Sequence, residues 1–128
     1  ALDDAEIQIY GDGSQLRDFV YVEDAADAFL RAGATDAVNG GVFNVGGAAP
    51  VSHRDLVTQL IAAAGSGRVR YVEWPEEKRK IDIGSFASDS SRFRAATGWR
   101  PATSLDDGLR QTLAFYRANM SRYLGDPA

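Results

Sequence analysis

A chain of 128 residues, 45% hydrophobic and 25% charged, has the make-up of one soluble globular domain with a modest core. A formal charge of −4 with interspersed acids and bases excludes the strongly basic surface that nucleic-acid binding needs. The lack of cysteine excludes disulfides and thiolate metal sites and suits a cytoplasmic protein. No run of about 18 apolar residues exists, and the amino end has no signal-peptide zones, so no membrane partner is expected. Ala1 and Leu2 stand where Met would, in what reads as the tail of a helix, which suggests processing or truncation. A domain of this size buries only about two-thirds of its unfolded surface, so a piece deprived of a neighbour leaves apolar area exposed.

In chain order, Ile7 and Ile9 alternate with Gln8 before Gly11-Asp12-Gly13-Ser14, and Phe19 and Tyr21 flank Val20. The pattern predicts two short strands around a glycine-rich hairpin turn. Residues 23–32 carry a helical apolar stripe, acids early and Arg31 late, stopping near Gly33. Residues 42–45 read as a buried strand ending in Gly46-Gly47. Ser52, with Asp55 three positions on, caps a helix that Gly65 ends. A strand over 69–72 is closed by Pro75, and residues 76–88 read as a long polar loop without helical period. Asp89 or Ser90 caps a short helix ending at Gly98. Ser104 and Asp107 open the last helix, whose inner face is Leu105, Leu109, Leu113 and Tyr116. The unit from Val42 to Ala64 fits a parallel sheet, so the chain is α/β or mixed α+β.

Few residues suggest chemistry on their own. Arg17 follows the glycine-rich turn, and its forked guanidinium suits a diphosphate. A surface pair with Asp12 or Asp18 is the plainer reading of the same residues. Arg79 and Asp82 offer one phosphate donor and one hydroxyl acceptor, although a run such as Glu76-Glu77-Lys78-Arg79-Lys80 usually just faces water. His53, the single histidine, has no companion for a metal or a catalytic pair. Gly11-Asp12-Gly13 and Gly46-Gly47 are too short for a dinucleotide fingerprint, and Trp74 and Trp99 read as packing residues.

The stretch from Ile9 to Asp24, I-Y-G-D-G-S-Q-L-R-D-F-V-Y-V-E-D, resembles a segment of the extended short-chain dehydrogenase/reductase superfamily, in its nucleotide-sugar epimerase and dehydratase branch. Phe43-Asn44-Val45-Gly46-Gly47, Asp89-Ser90-Ser91 leading to Gly98-Trp99-Arg100-Pro101, and Ser104-Leu105-Asp106-Asp107-Gly108-Leu109 follow in the same order, so the likeness spans nearly the whole chain. The resemblance implies that residues 1–128 are the carboxy-terminal substrate-binding lobe of a Rossmann-type enzyme, without the glycine-rich half that binds NAD. It places a diphosphate contact on Arg17, which reverses the plainer reading. By counting back from Asp89, it places a second phosphate contact on Arg79 and a ribose contact on Asp82.

The family's Tyr-x-x-x-Lys pair is not found: Tyr10 is followed four positions on by Ser14, Tyr21 by Ala25 and Tyr71 by Pro75. The implied function is to grip the nucleoside diphosphate of a UDP-, dTDP-, GDP- or CDP-sugar inside an NAD-dependent, homodimeric parent. The piece alone would bind no NAD and have no activity. A non-catalytic nucleotide-sugar-binding or protein-interaction module is the alternative, and an upstream Rossmann segment in the same gene would discriminate between them.

Overall fold

Capping chemistry fixes the two clearest helices. The Ser52 hydroxyl accepts from the Asp55 amide at 3.0 Å and donates to the Asp55 carboxylate at 2.7 Å; Ser104 and Asp107 repeat the pair at 3.1 and 2.6 Å. In the computed structural model, which describes residues 1–2 and 4–124, these open α2 (His53–Ala64) and α5 (Leu105–Leu124). The remaining elements are β1 (Glu6–Tyr10), β2 (Leu16–Asp18), α1 (Val22–Gly33), a 3-10 turn (Asp36–Val38), β3 (Pro50–Ser52), β4 (Arg68–Val72), α3 (Glu76–Arg79) and α4 (Ser91–Thr97). The fold is mixed α/β, with two small sheets: β1 pairs with β4 in parallel, and β2 with β3 antiparallel.

The structure corrects several expectations. The glycine-rich turn is not a hairpin, and the second strand is β2 rather than residues 19–21. Gly11 and Gly13, at φ of 69° and 72°, with the Asp12 carboxylate accepting from the Ser14 amide and hydroxyl, turn the chain out of one sheet and into the other. Residues 42–45 form no strand, because no described strand lies beside them; Val42 is 84% exposed. Pro75, two leading glutamates and two trailing cations support one helical turn, α3, inside the supposed loop. Tyr116 is 40% exposed rather than inward-facing, and the first residues form a turn, with Asp4 N donating to Ala1 O, not a helix tail.

The core gathers where α1, the 3-10 turn, α4 and the residues after α4 meet. Trp99 is fully buried against Ala28, Val38 and Phe93. Phe93 lies between Phe43 and Trp99, with ring centroids 5.9 and 5.8 Å away. The Trp99 indole Nε1 donates to the Asp24 carbonyl at 3.0 Å, while the Asp24 carboxylate accepts from the Ala102 and Thr103 amides at 3.0 and 2.9 Å. A buried acid therefore clamps α1 to the segment that enters α5.

Burial alone would push the Asp24 carboxyl up, but the two amide donors outweigh it and hold the group below the ordinary carboxylate range. A depressed carboxyl stabilises the fold above its unfolded value of about 3.9, and that contribution is lost as pH falls through the folded value. Asp24→Asn is expected to cost roughly 1.5–3 kcal/mol at neutral pH and to flatten the acid limb of the stability profile. Thermal midpoints of both proteins measured from pH 7 downward check this, and parallel profiles would contradict it.

Outside this core, α1 presents Phe29, 78% exposed, beside Leu30 and Val22. An apolar groove of about 290 Å³ opens between Phe29, Ala32, Phe43 and Phe93. Among the described residues no helix is long and apolar enough to cross a membrane.

Candidate functional site

The residues singled out in the sequence converge on one end of the molecule, where the carboxyl ends of β1 and β4 reach the loop around α3. A hollow of about 620 Å³ opens there, lined by Gly11, Gln15, Glu73, Trp74, Arg79 and Asp82. Its size matches that of small-molecule sites. Arg79, the last residue of α3, has an exposed side chain and no ion-pair partner among the described residues. Asp82 is held in place: its Oδ2 accepts from the Gln15 side-chain amide at 2.5 Å and from the Gly84 backbone amide at 3.1 Å. Its Oδ1 has only Arg17 Nη2 nearby, at 3.9 Å, an ion-pair distance rather than a hydrogen bond.

Arg17 does not line the hollow but stands one ion pair away from it. Neither Asp12 nor Asp18 pairs with it. Its Nη1 donates to the Leu16 carbonyl at 2.8 Å and the Gly84 carbonyl at 2.6 Å, which ties β2 to the loop carrying Asp82. Those two bonds occupy both Nη1 hydrogens, so Nε and Nη2 retain donors free of hydrogen bonds among the described residues. Arg17 also offsets charge: the hollow's own lining holds two carboxylates, Glu73 and Asp82, against the single guanidinium of Arg79.

Asp18, the neighbour of Arg17, is structural. Its Oδ2 accepts from the Ser88 amide at 3.0 Å and packs where a Cβ on Gly46 would lie; Gly47 meets the Phe19 backbone in the same way. The Gly46-Gly47 pair thus serves close packing of β2 rather than a phosphate. Among the described residues no cluster of His, Cys, Asp or Glu could hold a metal ion. His53 begins α2, its amide donating to the Gln15 carbonyl at 3.0 Å.

Residues 1–46 match the profile described as the NAD dependent epimerase/dehydratase family. A UDP-glucose 4-epimerase of Mycolicibacterium smegmatis is 38% identical over 110 residues, which cover 86% of this chain and 34% of that protein. The chain is similar to this family, and the likeness supports the extended short-chain dehydrogenase/reductase superfamily. A dTDP-glucose 4,6-dehydratase of Streptomyces griseus is similar at 37% identity over 94% of this chain and 36% of its own length. Among solved structures, the UDP-glucose 4-epimerase of Thermotoga maritima with UDP-glucose superposes with a TM-score of 0.80 at 29% identity, covering 93% of this chain and 37% of that one. The chain spans about a third of the length of the relatives it matches.

Set against this family, the sequence reading named Arg79 and Asp82, which the hollow brings together, and Arg17, which reaches it through Asp82. It missed Gln15, Glu73 and Trp74 as lining residues. Gln15 lies inside the recognised motif between Ser14 and Arg17, but only the folded position of the loop 67 residues later shows what its amide holds.

Proposed function

We propose that residues 1–128 form the substrate-binding domain of an NAD-dependent nucleotide-sugar epimerase or dehydratase, gripping the nucleoside diphosphate. One observation carries the reading: a guanidinium free of ion pairs and a carboxylate with one open oxygen face a single hollow. Arg79 would donate to the diphosphate, Asp82 Oδ1 would accept from a ribose hydroxyl, and Gln15 would keep Asp82 from turning away. Arg17 would add its remaining donors and keep the site from carrying net negative charge.

The chemistry belongs to NAD, and the residues of this chain do not fit that cofactor. No dinucleotide fingerprint or Tyr-x-x-x-Lys pair occurs in the sequence, and the Gly46-Gly47 pair is filled by Asp18 and Phe19. The exposed α1 face, the apolar groove beside it and the strand-like run at 42–45 with no described strand beside it support a further body of the same enzyme, the Rossmann half, as their cover. Remote binding energy at the diphosphate would then hold the sugar against the cofactor.

Calorimetric titration of the chain with UDP and dTDP tests the grip. Arg79→Ala is expected to weaken binding by about 10- to 100-fold, the scale of one charge-assisted hydrogen bond. Arg17→Ala is expected to weaken it as well, and Arg17→Lys to restore part of the loss by returning the charge without the fork. Unchanged affinity in Arg79→Ala would remove the hollow from the substrate site.

A further inference from the structure

α3 carries Arg79 to the hollow, yet little holds α3 itself. It is a single turn of four residues with none buried, closed by bonds from the Arg79 and Lys80 amides to the Pro75 and Glu76 carbonyls. So short a turn does not persist on its own backbone bonds, because nucleation fixes several residues for one hydrogen bond. The ion pair of Lys80 with Glu76, at 2.9 Å, runs along the turn and ties it to nothing else. The strap that follows is anchored on β2 and the residue before it: Asp82 to Gln15, the Gly84 carbonyl to Arg17, and Ser85 and Phe86 to the Leu16 backbone. At the α3 end a single side chain makes the corresponding link. Lys78 Nζ donates to the Tyr10 hydroxyl at 2.7 Å and sits 4.6 Å from the centre of that ring. Among the described residues it is the only side-chain hydrogen bond or ion pair that joins α3 to another element.

Tyr10 is a firm anchor. It is the last residue of β1, opposite Val72 of β4, and its ring packs on that of Trp74 with centroids 5.3 Å apart. Lys78 does not line the hollow, whereas its neighbour Arg79 does. Successive residues of a helical turn point about 100° apart, so holding Lys78 against Tyr10 sets the direction in which Arg79 leaves α3. From this geometry we infer that Lys78 and Tyr10 are a positioning pair: their contact, outside the hollow, aims the Arg79 guanidinium at the phosphates. The inference rests on the proposed diphosphate grip and adds to it two residues that touch no part of the ligand.

Calorimetric titration with UDP and with inorganic pyrophosphate tests the pair. Tyr10→Phe keeps the ring and the net charge and removes only the acceptor. It is expected to weaken both ligands by about 2- to 10-fold, the net worth of one hydrogen bond. Lys78→Met is expected to weaken them at least as much, and Lys78→Arg, which can still donate to the hydroxyl, to retain most of the affinity. Thermal midpoints are expected to stay in place, since α3 buries no residue. Because the pair acts through Arg79, Tyr10→Phe is expected to cost nothing further in an Arg79→Ala background. The same loss from Tyr10→Phe with and without Arg79 would overturn the positioning role and mark Tyr10 as a general scaffold. Weakening by Lys78→Met with full affinity in Tyr10→Phe would overturn it too, making Lys78 a plain attracting charge. Binding that is lost in Arg79→Ala but intact in both Tyr10→Phe and Lys78→Met would remove the pair and leave the grip standing. Failure of the unmodified chain to bind either ligand would overturn the grip, and the positioning role with it.

Discussion

Trp99→Ala is expected to cost about 3–5 kcal/mol of stability, a large fraction of the roughly 5–15 kcal/mol that holds a domain together. Trp99 is the largest side chain with no exposure, and its removal would leave a void bordered by Ala28, Val38 and Phe93. The indole also satisfies the Asp24 carbonyl, which would be left without that donor. Denaturant unfolding followed by circular dichroism measures the loss, and Trp99→Phe separates its parts. Phenylalanine refills most of the void but lacks the donor, so it is expected to cost about 1–3 kcal/mol, the penalty of one unsatisfied buried group. A midpoint for Trp99→Ala close to that of the unmodified chain would show that the aromatic core is not what holds α1 to α4.

This core was only partly legible in the sequence. Trp99, between Gly98 and a nearby proline, read correctly as a packing residue, and the helices with both a cap and an apolar stripe were found where Ser52, Ser104 and Gly65 placed them. Those signals are local: a hydroxyl and an amide three residues apart meet only if the chain turns helically between them. The misread strand pairings depended on remote partners. Residues 6–10 pair with 68–72, and 16–18 with 50–52, and no local pattern distinguishes these pairings from a hairpin about Gly11-Asp12-Gly13. The run at 42–45 shows the converse, a strand composition with no neighbouring strand among the described residues.

The site divided along the same line. Arg17 stands out in the sequence because its motif is contiguous, whereas its contacts with the Gly84 carbonyl and Asp82 lie more than sixty residues on. Arg79 and Asp82 came from counting along a resemblance, and their shared hollow exists only because α3 turns the loop back over Gly11. Trp74 was read as packing from its neighbours in sequence. It does pack, on Gly11 and Tyr10, but its place beside the hollow follows from the parallel pairing of β1 with β4.

The arrangement that positions Arg17 can be broken from a distance, at Gly47. A Cβ there would fall well inside contact distance of the Phe19 carbonyl oxygen and 2.9 Å from the carbonyl carbon, so the obstacle is backbone and no rotamer change relieves it. Either β2 and its continuation move away from residues 46–47, or the loop through Ser88 does, since Asp18 binds the Ser88 amide from the same strand. Gly47→Ala is therefore expected to lose about 3 kcal/mol or more, at or beyond the upper end of ordinary overpacking. It should also weaken UDP binding through displacement of Arg17 from the Gly84 carbonyl, although residue 47 does not line the hollow. Gly33→Ala is the matched control: nothing lies within 4 Å of its added carbon, and it sits at the end of α1, so the same chemical change is expected to be neutral or to stabilise by up to about 1 kcal/mol. Comparing urea midpoints of the two variants with the unmodified chain, and then titrating each with UDP below its transition, reads stability and binding separately. A Gly47→Ala protein with normal stability and normal affinity would mean that the backbones of residues 19 and 47 are not in contact, and that Arg17 is held by something other than the register of β2.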